Sequence, residues 1–149
     1  MKQIKINIPE GFEIEKFDTQ TGEVTFKPTI KNIIDKIQTL EDVFRLNNTT
    51  KEEFDSKYEG IEDEVKYVAL EYLIVKAYNQ GWSPNWSDSN EPKYYLWWNF
   101  SNNFTLDCCN CYDSSAGCSA LSLFKNKEIA LDAAKKFLNV YKISRGYAK

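Results

Sequence analysis

Apolar and polar positions alternate at the start of the chain: Ile4, Ile6 and Ile8 are interleaved with Lys5 and Asn7, a period of two that predicts a half-buried strand. Pro9-Glu10-Gly11 ends it. Phe12 and Ile14 alternate with Glu13 and Glu15, and after the polar stretch DTQTG, Val24 and Phe26 alternate with Glu23, Thr25 and Lys27. Three such runs separated by turn residues predict an antiparallel meander.

The period then lengthens. Ile30, Ile33, Ile34 and Ile37 recur at helical spacing, although so many isoleucines would also suit a strand. Thr39 followed by Asp42 predicts a capped helix over LEDVFRL, and Thr49 or Thr50 with Glu52 or Glu53 predicts a second over EEFDSKY. The strongest helical signal spans 64–80, where Val65, Val68, Ala69, Tyr72, Leu73, Val75, Ala77 and Tyr78 cover more than one face. Apolar coverage that wide predicts a central, largely buried helix ended by Gly81.

The turn-rich loop WSPNWSDSNEP leads into KYYLWWNF, whose aromatic density favours a strand. A polar loop carrying the cysteines follows, and ALSLFK is expected to be the return strand. Asn126 is positioned to cap a C-terminal helix over 127–142, with Ile129, Ala130, Ala133, Ala134, Phe137, Leu138 and Tyr141 on one stripe. The prediction is therefore a single α+β domain over 1–149. Its small antiparallel sheet combines the N-terminal meander with a hairpin near 94–125 and packs with the central and C-terminal helices.

Composition narrows the function. At 149 residues the chain is long enough to bury one core without staples. The net charge of −3 disfavours polyanionic partners, leaving nucleic acid as a lesser candidate. The start MKQIKINIPEG lacks a continuous apolar stretch of the signal-peptide kind, and no segment has the roughly 20 apolar residues of a membrane span, so a cytoplasmic location is expected and no membrane partner. Histidine is absent, which removes the commonest general base and metal imidazole together. Phosphate-loop, dinucleotide and nucleophile-elbow motifs are also missing, and no cofactor is expected.

Two clusters remain. Cys108, Cys109, Cys111 and Cys118 fall within eleven residues, but their C-C-N-C spacing matches a zinc site poorly. Free thiols around a hairpin loop are the first reading, structural zinc the second. A thiol-dependent enzyme using a residue such as Cys111 would need a lysine or a helix N-terminus to ionise it. The sharper cluster is aromatic: Trp82, Trp86, Tyr94, Tyr95, Trp97 and Trp98, with Lys93 among them. In a strand, Tyr94, Leu96 and Trp98 share one face and Tyr95 and Trp97 the other, so one face is core and the other needs a cover. Core packing of both faces, under a helix or the Trp82–Trp86 loop, is the first reading; the others are a protein partner, a second copy in a homodimer, or stacked bases with Lys93, Lys135 and Lys136 on phosphates. Paired carboxylates such as Glu52–Glu53 and Glu62–Asp63 lie at helix starts, where they favour the dipole and read as solvated.

The stretches IPEGFEIE, TLEDVFRL, KAYNQGWSPNW with KYYLWW, and LFKNKEIALDAAKKF resemble a group of small proteins encoded by gut Bacteroides-type bacteria, their phages and integrated elements. There the corresponding stretches read I-P-E-G-Y-E-I-D, T-F-E-D-A, L-N-E-G-W-x-P-D-W, K-Y-Y-x-W-F and F-K-S-x-E-x-A. The most specific match runs through Gly81, Trp82, Pro84, Trp86, Lys93, Tyr94 and Tyr95; Phe12 and Asn85 depart from it, where the group often has Tyr and Asp. The resemblance implies a phage or mobile-element accessory protein of a bacterial host and no particular chemistry.

Overall fold

The computed structural model describes residues 6–9, 12–28, 32–101, 103–112 and 120–147, and its contacts divide the chain into two compact units, Met1–Asn32 and Ile33–Lys149. It is an α+β fold. Among the described residues there are six helices and two separate two-stranded antiparallel sheets.

The first unit holds one hairpin, β1 (Phe12–Phe17) paired with β2 (Val24–Pro28), with a bulge between Ile14 and Lys16. The DTQTG turn forms as its composition demands. The Asp18 carboxylate accepts from the Gln20 and Thr21 backbone N–H groups at 2.8 and 3.2 Å, and Gly22 takes the left-handed conformation at φ 75°. The expected first strand is not present over its described part: residues 6–9 are irregular, and Ile4 and Lys5 lie outside the described residues.

The second unit is built around α4 (Asp63–Asn79). The expected isoleucine helix is one turn, α1 (Ile33–Lys36), with Ile33 and Ile37 buried; Ile30 lies outside the described residues. Both capped helices form as predicted, α2 (Leu40–Leu46) behind Thr39/Asp42 and α3 (Lys51–Lys57) behind Thr50/Glu53, each with a reciprocal capping box. α4 packs its inner face, including Leu70, Ile74, Val75, Ala77 and Tyr78, into the core, and Gln80 ends it in the left-handed conformation at φ 51°. Its outer face is a correction to the expected burial, since Val65, Val68 and Tyr72 are exposed.

The C-terminal stripe is two helices, α5 (Lys127–Lys136) and α6 (Leu138–Ser144), meeting at the buried Phe137. Asn126 caps α5 through the Ile129 N–H. Polar links tie these elements to α4 and α1. Arg145 grips the buried Glu71 carboxylate with two bonds of 2.5 and 2.9 Å, Tyr78 donates to Asp132 at 2.6 Å, and Lys136 donates to the Ile34 and Ile37 carbonyls at 2.8 Å each. A buried carboxylate is costly without such a partner, and the guanidinium fork meets both of its oxygens. Burial and the neighbouring Asp132 push the Tyr78 hydroxyl far above its ordinary titration range.

The second hairpin pairs β3 (Lys93–Asn99) with β4 (Thr105–Tyr112). The return strand is thus the cysteine-bearing segment itself. The expected strand ALSLFK is a 3-10 turn at Ala120–Ser122 followed by a single bridge, in which Tyr94 and Phe124 exchange backbone hydrogen bonds of 3.0 and 2.8 Å. The buried Asn79 holds that segment to α4, donating to the Leu123 carbonyl at 2.7 Å and accepting from the Lys125 N–H at 3.1 Å. These bonds engage the backbone on both sides of Phe124 and limit its pairing with Tyr94 to that one bridge. Among the described residues no helix is long and apolar enough to cross a membrane.

Candidate functional site: an aromatic face beside a pinned loop

Strand alternation separates the aromatic residues of β3 into two sets with different surroundings. On the inner side, Trp98 is buried at 6% exposure, stacked on Phe104 at 4.8 Å and tilted against Tyr141 at 5.0 Å. Tyr94 and Leu96 pack against the same core. Phe104 reaches its place from the left-handed conformation at φ 53°, directly after Asn103 at φ 52°. A phenylalanine is strained there, and its burial under Trp98 offsets the strain. Neither the Trp98 indole nitrogen nor the buried Tyr141 hydroxyl finds a hydrogen-bond partner among the described residues, and burial pushes the Tyr141 hydroxyl well above its ordinary range.

On the outer side, Trp97 is 56% exposed and meets the half-buried Tyr95 edge-on at 6.2 Å. Two residues back along the same face stands Lys93, whose side chain is completely enclosed. Its ammonium donates to the Asp88 and Glu91 carbonyls at 3.0 and 2.9 Å and pairs with a Glu91 carboxylate oxygen at 3.4 Å. The Trp86 ring lies against it, 5.9 Å from ammonium to ring centroid. A buried cation is tolerated only with such a full set of acceptors.

Glu91 is the second organiser of the loop. One carboxylate oxygen accepts the Trp82 indole N–H at 3.1 Å and the other the Asn85 backbone N–H at 2.7 Å. The Asn85 bond, followed by those from Trp82 and Lys93, holds the Glu91 carboxyl below its usual range against a partial desolvation. Two side chain-to-backbone turns complete the loop: Asn85 Oδ1 accepts from Ser87 N–H at 3.0 Å and Asp88 Oδ1 from Asn90 N–H at 2.9 Å. Residues 82–93 are therefore pinned by one lysine and one glutamate.

The predicted site residues thus divide. Trp98 and Lys93 are interior, so neither is available to a partner in this conformation, and Tyr94 serves the core. Trp82 is tethered to Glu91. Tyr95 and Trp97 remain along the outer face of β3, and Trp86 lies exposed over the Lys93 ammonium. Trp86 also borders a groove of about 300 Å³ formed with Tyr72, Lys76, Pro84 and Leu121. Glu91 and Leu121 escaped the sequence reading. Nothing distinguishes Glu91 from other loop carboxylates until Asn85, Trp82 and Lys93 converge on it, and Leu121 sits in the segment expected to be a strand.

The backbone register sets Cys108 opposite Trp97, Cys109 opposite Leu96 and Cys111 opposite Tyr94, while Cys118 lies outside the described residues. Among the described residues no group of three or more potential metal ligands is gathered. No protein-family model, no curated protein and no solved structure matches this chain.

Proposed function

We propose that this chain is a binding protein rather than an enzyme, an accessory protein of phage or mobile-element origin, and that it captures a protein partner on the outer face of the second hairpin. The observation that carries the reading is the exposed Trp97, backed by Tyr95 and continued by Trp86 over a loop that Lys93 and Glu91 hold in place. Large aromatic rings on a rigid support are the residues that most often anchor protein interfaces. A pinned loop also reduces the ordering cost of association.

Charge favours a protein over a nucleic acid. The strands of this hairpin carry Lys93 and Asp107 as their charged residues; Lys93 is enclosed, so the exposed charge is acidic. Lys136, the other expected phosphate contact, is spent on the Ile34 and Ile37 carbonyls and on Asp132 at 2.8 Å, leaving Lys135. The displaced carboxylates support a non-catalytic reading, because each has a structural role. Asp42 is held low by the Gln38 and Thr39 N–H groups of its cap, Asp55 by Lys51 and Lys66, and Glu91 by its loop.

The test is partner capture from host lysate by immobilised wild type and by Trp97→Ala and Trp86→Ala. Wild type retains a protein that both variants lose while each still unfolds cooperatively. Equal capture by all three would sink the proposal, as would quenching of tryptophan emission by short oligonucleotides at low salt that fades steeply as salt rises.

A further inference from the structure

The outer face of α4 is apolar in its middle and oppositely charged at its ends. Val65 and Val68 are each 53% exposed, Tyr72 is 39% exposed, and Ile61 lies exposed just ahead of the helix. A helix apolar on all sides is ordinarily covered on all sides. Glu62, Asp63 and Glu64 stand exposed at the N-terminal end of this row and Lys76 at its C-terminal end, and none of the four forms an ion pair with a described residue. Lys66, the other cation of the helix, is already paired with Asp55 at 2.7 Å.

We infer that a second copy of this chain docks on this face, with the two α4 helices antiparallel about a two-fold axis. Glu64, Val68, Tyr72 and Lys76 follow one another at four-residue steps and so form one row on the helix. The row spans about 18 Å from Glu64 to Lys76. It is self-complementary only when reversed. Antiparallel pairing sets Glu64 of each copy beside Lys76 of the other and Val68 beside Tyr72, twice over, as an isologous interface requires. Parallel pairing would oppose like charges at both ends.

The helix row alone falls short of the roughly 800 Å² per partner of a standard interface. The groove beside its C-terminal half extends it. Tyr72, Lys76, Trp86 and Leu121 line that groove, and both Trp86 and Leu121 are exposed. In the antiparallel arrangement it faces the N-terminal half of the other copy, where Ile61 and Val65 supply the apolar side chains to fill it. The helix row is separate from the proposed partner face, since Trp97 lies outside it; the two surfaces meet at Trp86, which borders the groove.

The experiment is sedimentation of the full chain over a range of concentrations and salt. A monomer–dimer equilibrium that weakens with salt is expected. Val68→Glu should be monomeric, and Lys76→Glu and Glu64→Lys should each weaken the dimer by about tenfold. The double variant Glu64→Lys/Lys76→Glu should restore it, since the reversed charges again pair across the axis. All three positions are exposed, and a cooperative melt for each variant verifies its fold. A monomer at every concentration overturns the inference, as does a dimer indifferent to Val68→Glu or a double variant no better than the singles. Trp97→Ala should dimerise like wild type; loss of the dimer in that variant would overturn the assignment to α4 and move the interface to the hairpin.

Discussion

Trp97 and Trp98 are successive residues of one strand with opposite circumstances. The first is more than half exposed and touches Tyr95; the second is almost fully enclosed between Phe104 and Tyr141. A bulge separates them, because the register passes from Trp97 opposite Cys108 to Trp98 opposite Leu106 and leaves Asp107 unpaired between. An extra residue increases local twist and re-aims the side chains beside it. Aromatic density therefore has no single meaning in this hairpin. The inner set supplies core volume and the outer set supplies contact surface, and the same residue type serves both.

The comparison breaks most decisively at Trp98. Trp98→Ala opens a void beside Phe104, removes the stack that holds a left-handed phenylalanine, and is expected to cost about 4 kcal/mol in denaturant unfolding. Trp97→Ala is expected to cost about 0.5 kcal/mol in the same measurement. Equal losses at the two positions would mean that the outer face is covered and that its role as a contact surface is wrong.

Lys93→Met comes next, at about 3 kcal/mol, because it leaves two carbonyls and the Glu91 carboxylate without their common donor. Hydrogen exchange should show lost protection concentrated in residues 82–93. A variant as stable as wild type would show that the loop is held from elsewhere and that Trp86 needs no cation beneath it.

The gentlest perturbation is acid. Glu91 is held below its unfolded value, which is about 4.3. Its contribution is therefore present above that pH and is lost as pH falls through the lower, folded value. The Trp82 indole N–H resonance is expected to shift in that window as its acceptor is protonated, while Glu91→Gln removes the step. A resonance that stays fixed until global unfolding would rule out Glu91 as the loop's organiser.

Where signals were local, the sequence was readable. The Thr39/Asp42 and Thr50/Glu53 boxes mark α2 and α3 because both partners of each cap lie within four residues. The aromatic run marks β3 for a similar reason. β4 was not legible, since TLDCCNCY has no alternation of its own and becomes a strand by pairing with β3. ALSLFK failed in the opposite direction: its apolar residues suit a strand, but Asn79 fixes the backbone on either side of Phe124 and confines pairing to one bridge. The stripe over 127–142 gave no sign of the break at Phe137, where neither glycine nor proline interrupts it. At the candidate site, the alternation of Tyr94 to Trp98 was legible, but the enclosure of Lys93 depends on a loop that folds back from several residues earlier in the chain.

That enclosure makes Lys93 a chemical gauge. An amine reagent reaches its ammonium only while the loop is lifted and the Asp88 and Glu91 carbonyls are detached. The rate at which this one lysine is modified, set against an exposed neighbour such as Lys76, therefore measures how often the loop opens on its own. A partner that seats on Trp86 and clamps the loop would slow that modification even at sites it never touches, so the occupancy of the outer face could be followed from the inside.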